Sequence, residues 1–281
     1  PGEAAEDWRN LGEGLPVGLS SGEIHPLARP YAALAEAFRK GDREAFGREL
    51  GAIREYLGEH HGAVLRQMGQ EFTFNHAEPF YRGMVLYVIA FLLACFSWLR
   101  STASLNRAAY WVLLVAFAVH TIGLVARVVL QGRPPVTNLY SSAVFVGWAA
   151  VLMAVVIEAI ARRGFATAAA AAVGFVTLII AHHLSTSGDT MEMMRAVLDS
   201  NFWLGTHVVT IVIGYSATFL AGGLAHIYIL RGVFSRSFSD EAAKSIYHMV
   251  YGVVCFSLLF TIVGTVLGGI WADQSWGRFW G

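Results

Sequence analysis

Residues 134–157 read PPVTNLYSSAVFVGWAAVLMAVVI, a run without a single Asp, Glu, Lys or Arg. A hydrocarbon core about 30 Å thick takes roughly 20 apolar residues of helix to cross. The run is therefore long enough to span a bilayer. Charge-free stretches of the same kind recur at 83–99, 108–126, 164–188, 200–230 and 245–272. A soluble core does not produce six of them in so short a length. In lipid each backbone N–H and C=O must be satisfied within the protein, which forces helices rather than lone strands. The pattern predicts an all-α polytopic membrane protein with six transmembrane helices, the first of them the shortest.

Composition agrees. Of 281 residues, 56% are apolar and 14% charged, and the mean hydropathy is +0.52; an average soluble domain is about 25% charged. The formal net charge is zero, but unevenly distributed. Residues 1–82 carry 9 basic and 13 acidic side chains, and residues 83–281 carry 11 and 7. This predicts a small acidic helical region over 1–80, outside the membrane, and a transmembrane domain over 81–281. No basic surface for nucleic acid exists. Cys95 and Cys255 both lie in apolar runs and no CxxC occurs, so a disulfide framework, a zinc knuckle and a thiol-redox motif are not expected. The sequence opens at Pro1 with no signal-peptide pattern, which reads as a piece of a longer protein.

Short loops rich in Arg and Lys stay on the cytoplasmic side. Arg100, Arg107, Arg162, Arg163, Arg231, Arg236 and Lys244 fall in one alternate set of loops; Arg127, Arg133, Arg195 and Arg278 fall in the other. Seven against four places the first set in the cytoplasm. The N-terminal region, the 127–140 and 182–201 loops and the C-terminal end then face outward. In the N-terminal region a helix is expected over 31–40. Gly41 breaks it, and Asp42 is the N-cap of a second helix that carries Glu44 in its first turn and Phe46, Leu50, Ile53 and Leu57 at helical spacing. The 182–201 loop, with Asp189, Glu192, Asp199 and Met191, Met193 and Met194, reads as an amphipathic helix on the membrane surface. Its methionines are expected in apolar contacts rather than as ligands.

Six of the ten histidines fall in the membrane region: His120, His182, His183, His207, His226 and His248. Ionisable groups there are costly and mark candidate functional sites, and neutral His ligates metals and haem iron. Trp203 and His207 stand four apart, on one helix face near the outer end of the fifth span. His226 is 19 residues further on, about 28 Å along a helix, so it cannot share an iron with His207. His120, inside the second span, is a ligand, a proton relay or an interhelical hydrogen-bonding residue. His182, His183, His226 and His248 sit at span ends, where an interfacial role suffices. The C-terminal stretch WADQSWGRFWG (271–281) packs four large aromatics with Gly, Asp and Arg. That is denser than an interfacial aromatic belt requires, and suits a flat platform for a planar macrocycle, with Arg278 for its propionates.

The segment WGRFWG (276–281) resembles the opening of the tryptophan-rich WWD motif of the haem-handling protein superfamily. Three further segments resemble its cytochrome c synthase branch, of the CcsA or ResC type, in the branch's own order. HTIGLVAR (120–127) resembles its histidine-bearing helix, GRPPVTNLYSS (132–142) its external loop with an Asn-x-Tyr core, and LDSNFWLGTH (198–207) the segment bearing the first external haem-ligand histidine.

The resemblance implies cytochrome c biogenesis. Haem b would be held non-covalently at the outer face and presented for attachment to apocytochrome c. It makes His207 an axial ligand of the haem iron. Trp276, Gly277, Arg278 and Trp280 become the cradle, and Trp203, His120, Asn138 and Tyr140 further haem-site candidates; no catalytic residue is assigned. It also implies a CcsB- or ResB-type partner protein or fused half, a thiol-reducing protein, and a multi-pass location in the bacterial inner membrane. The second external histidine would lie beyond Gly281, so the chain as given is expected to be one component of the ligation system, unable to complete the haem sites alone. A haem-delivery or lyase-type protein is the near relative. From another class, a non-haem polytopic transporter or quinone-linked subunit would account for the spans but not for the aromatic C-terminus.

Overall fold

The computed structural model describes residues 25–100, 102–186, 190, 200–235 and 238–277. Among them no strand occurs; the elements are helical. The chain divides into two compact units, Pro1–Thr73 and Phe74–Gly281. Arg278, Phe279, Trp280 and Gly281 lie outside the described residues, as do 187–189 and 191–199, which hold the acidic and methionine side chains of the 182–201 loop.

Helix α1 (Ala28–Lys40) starts earlier than expected, because Pro30 falls in the first turn, where its missing N–H costs nothing. It ends at Gly41, whose φ of +71° is the left-handed C-cap geometry glycine adopts freely. Helix α2 (Arg43–Ala77) begins as read: Asp42 Oδ1 accepts from the Glu44 and Ala45 N–H groups at 3.1 and 3.0 Å. It is interrupted at His61 (φ −133°, ψ 33°). On the surface of α1, Lys40 bonds Glu36 at 2.8 Å and holds its carboxyl below the usual range.

Six helices among the described residues are long and apolar enough to cross a membrane. They are α3 (Pro79–Arg100), α4 (Ala103–Gln131), α5 (Leu139–Ala161), α6 (Phe165–Ser185), α7 (Asn201–Phe234) and α8 (Asp240–Trp276). Each overlaps one of the charge-free runs, but the ends differ. The α3 helix extends past Arg82 to 22 residues, so the shortest is α6, at 21; flanking arginines reach the interface from inside a helix. The α5 helix starts at Leu139 rather than near 134, because Pro134 and Pro135 donate no N–H and Asn138 supplies the cap.

The α6 helix is the hub. Two thirds of its apolar window is buried, against 17% for α8. Its run FATAAAAAVG is nearly all small, and small residues let neighbouring backbones come close in a membrane. The α3, α5 and α7 helices pack around it, α4 rests mainly on α3, and α8 chiefly on α7. The Tyr87 ring lies across Gly174, where a β-carbon would meet it at about 3.0 Å. Several hydroxyls within the spans bond the preceding turn, as with Thr177 to Val173 O and Ser216 to Val212 O. Large apolar side chains such as Phe256, Leu259, Ile262 and Val266 are exposed on α8, a surface suited to acyl chains.

The loops alternate between two ends of the bundle. At one end Arg231 stands over the rings of Trp98, Phe165 and Phe238 at 5.1–5.7 Å, and Arg163 approaches Glu241 at 4.0 Å. These are the loops assigned by their basic residues to the cytoplasm. At the other end Gly205 faces Pro134, and Arg127 reaches Thr190.

Candidate functional site

The α4 motif HTIGLVAR turns its His120, Gly123, Leu124 and Arg127 inward, one every three or four residues. His120 is fully buried. Its Nε2 lies 3.1 Å from the Val144 carbonyl and its Nδ1 3.1 Å from the Tyr87 hydroxyl. A carbonyl only accepts, so Nε2 carries the proton and Tyr87 donates to Nδ1. Both nitrogens are engaged. Of the three roles open in the sequence, this geometry is that of the interhelical hydrogen-bonding residue, joining α3, α4 and α5. The Phe80 and Tyr87 rings meet it edge-on.

Asn138 and Tyr140 stand beside it in a second arrangement. Asn138 Oδ1 accepts from the Ser141 N–H at 2.8 Å, and Ser141 Oγ accepts from the Asn138 N–H at 2.9 Å, a reciprocal cap on α5. Asn138 Nδ2 donates to Thr190 O at 2.9 Å. Arg127, 2% exposed, bonds the same Thr190 carbonyl and lies 4.6 Å over the Tyr140 ring. Arg127, Asn138 and Tyr140 thus tie the 132–138 segment and Thr190 to α4 and α5. Asn138→Ala is expected to lower stability by about 1 kcal/mol, the usual cost of a lost N-cap, measured as a lower unfolding midpoint in detergent.

His207 is placed differently. It sits in a π-turn, Leu204–Val208, between the short turn Asn201–Trp203 and the α-helix Val209–Phe234; such turns recur at functional sites. Its Nδ1 lies 2.7 Å from the Gly264 carbonyl of α8. Nδ1 is therefore the donor, and the lone pair falls on Nε2, which has no hydrogen-bond partner among the described residues. The half-buried ring lies 5.7 Å from Trp271, and Trp271 stacks on Trp203 at 6.3 Å with 15° between planes. The shared face expected of Trp203 and His207 is real, and Trp271 completes it. Among the described residues no group of three or more His, Cys, Asp or Glu converges. One nitrogen of His207 is held by a carbonyl and the other is open, the arrangement in which a histidine can take a metal.

Trp276 and Gly277 end α8. Trp276 is 59% exposed, and Gly277, at φ +66°, caps the helix through its N–H to Asp273 O at 2.8 Å. Arg278 and Trp280 lie outside the described residues. Sequence reasoning passed over Trp271 as a partner of His207, and over Gly264 and Gly268. The GTVLG pattern at 264–268 has the Gly-x-x-x-Gly form that marks close helix crossings in membranes, and could have flagged them.

A family model described as cytochrome C assembly protein matches residues 136–281, over half of the chain. The chain belongs to the cytochrome c assembly protein family. Among its relatives is Protein NrfI of Wolinella succinogenes, 30% identical, the match covering 60% of this chain and 18% of NrfI. CcsA of Synechococcus sp. (strain CC9605) is 25% identical over 71% of this chain and 74% of its own, and CcsA of Pinus thunbergii 29% identical over 60% and 66%. The match thus spans less than a fifth of NrfI and two thirds to three quarters of these CcsA proteins. Membership in the cytochrome c assembly family implies haem handling and a multi-pass membrane setting, as the six spans require. It does not favour the transporter or quinone-linked alternative.

Proposed function

We propose that this chain works in cytochrome c biogenesis by holding non-covalent haem b at the outer-face end of α7 and α8 and presenting it to apocytochrome c. The observation that carries this is His207, with Nδ1 donating to Gly264 O at 2.7 Å and Nε2 open beside the Trp203–Trp271 stack. An imidazole with an open nitrogen beside flat aromatic surface fits haem, whose iron takes nitrogen ligands and whose ring packs on aromatics. Haem held there would supply vinyl groups to which cysteine thiols of the apocytochrome would add. His207 fixes position through Nε2. Trp203 and Trp271 exclude water on one side. Trp276, Gly277, Arg278 and Trp280 belong to the cradle in this reading, Arg278 pairing with propionates. Holding both reactants in register is the protein's contribution.

In the same reading His120, Asn138 and Tyr140 support the site from a distance, as parts of the bundle. Residues 1–80 form a small region outside the membrane. A CcsB- or ResB-type protein or fused half supplies further ligands, a thiol-reducing protein delivers reduced cysteines, and the setting is the bacterial inner membrane. The excess of basic residues in the 100–107, 158–163 and 231–244 loops supports the orientation. The test is a visible spectrum of the protein purified in detergent from haem-replete cells. A Soret band that survives gel filtration, with a b-type pyridine haemochrome, is expected; its absence from the unmutated protein defeats the reading.

A further inference from the structure

Gly264 and Gly268 lie one turn apart on α8, facing the π-turn of α7. A β-carbon on Gly264 would fall 2.8–2.9 Å from Ile211, including its Cα. The two backbones can approach this closely only because Gly264 has no side chain, and that approach brings its carbonyl within 2.7 Å of His207 Nδ1. In an α-helix this carbonyl already accepts from the N–H four residues on, that of Gly268. It has a second lone pair for the imidazole, and Gly268, lacking a side chain, leaves its flank open. A β-carbon on Gly268 would sit 2.6 Å from His207 Cε1 and 3.1 Å from both ring nitrogens, closer than real contacts allow. Gly268 is the notch that the ring occupies.

We propose that Gly264 and Gly268 are positioning residues for the haem ligand: the Gly264 carbonyl selects the His207 tautomer with a bare Nε2, and the Gly268 notch sets the direction in which Nε2 points. This rests on His207 being an axial ligand, as proposed above. Losing a hydrogen bond that orients a ligating imidazole typically lowers metal affinity by roughly 10–100-fold. The α7–α8 crossing is thus part of the coordination apparatus as well as a packing contact.

Two measurements test this, both on the full chain. The first needs no haem. With 15N-labelled histidine and His207→Gln to identify the signal, apoprotein NMR is expected to show His207 protonated at Nδ1 and bare at Nε2. Free neutral imidazole side chains favour the opposite tautomer, and finding that one overturns the proposal. The second is a hemin titration of wild type, Gly268→Ala, His207→Ala and the double variant, with Gly252→Ala as control, since a β-carbon there meets nothing within 4 Å. Gly268→Ala is expected to weaken hemin binding roughly 10–100-fold and to shift the Soret band, with gel-filtration behaviour unchanged. It should add nothing once His207 is gone, because coupled residues are not additive. A Gly268→Ala protein with wild-type affinity and spectrum, or one whose loss persists in full without His207, overturns the positioning role. Wild type without a Soret band defeats the haem reading itself, while the tautomer measurement still stands or falls alone.

Discussion

His207→Ala is expected to abolish the Soret band of the purified protein, or to leave a weak high-spin remnant, while six-span insertion and detergent elution stay as in wild type. His207 is half-buried, and among the described residues its side chain makes one hydrogen bond, to Gly264 O. Its removal leaves that carbonyl with its intrahelical donor, so the bundle has little to lose. The haem would lose its protein nitrogen ligand. An affinity drop of at least about a hundredfold, roughly 2.7 kcal/mol, is expected, read by hemin titration. Added imidazole should restore part of the low-spin spectrum, because the space between Gly268 and Trp271 matches the missing ring. Full haem content in the variant would show that the iron is held elsewhere. His120→Ala is the informative contrast. Both its nitrogens are engaged inside the bundle, so its loss should lower stability and leave the haem spectrum of the surviving folded protein unaltered.

The largest stability effect is expected at Glu158. Gly164 is the N-cap of α6 and has no side chain to offer, and its φ of +80° and the Asn106 side chain packed against it leave no room for one. Glu158, at the end of the preceding helix and 4% exposed, supplies the acceptors instead. Oε1 takes the Gly164 N–H at 2.6 Å and Oε2 the Thr167 N–H at 3.2 Å. A carboxylate also suits the positive end of the helix dipole. Glu158→Ala strands two buried donors, each costing about 1–3 kcal/mol, at the entry to the most deeply buried helix. Loss of about 2–5 kcal/mol is expected, read as an earlier midpoint in denaturant titration in detergent. Glu158→Gln keeps an acceptor oxygen and should recover about half. An unchanged midpoint for Glu158→Ala would mean that water or lipid satisfies these donors.

These two residues show where sequence reading reaches and where it stops. The spans are legible because a bilayer needs an uncharged run of a certain length, and 134–157 is such a run. The Asp42 cap is legible because an N-cap acts on donors two and three residues away. Asn138 has the same local signature, with Ser141 three residues on, yet it stood among ligand candidates because the resemblance drew attention to the loop. Glu158 escapes because it caps a helix other than its own. His207 stands out through its spacing from Trp203. Its partners Gly264 and Trp271 lie on α8, 57 and 64 residues away, and the register of two helices across an interface is set by packing that periodicity does not encode. His120 shows the reverse: a membrane histidine invites a ligand role, and only the positions of Tyr87 and Val144 reveal both nitrogens as occupied.

The peripheral α8 helix leans chiefly on α7, and the His207–Gly264 bond, the Gly268 notch and the Trp203–Trp271 stack all lie between these two. These contacts are internal to one helical hairpin, so the geometry around His207 is set by α7 and α8 themselves. In the proposed reading this hairpin is the haem-holding unit. Changes in α3–α6 are then expected to alter stability more than haem binding, and an α7–α8 hairpin transplanted into a related bundle is expected to keep the His207–Gly264 bond.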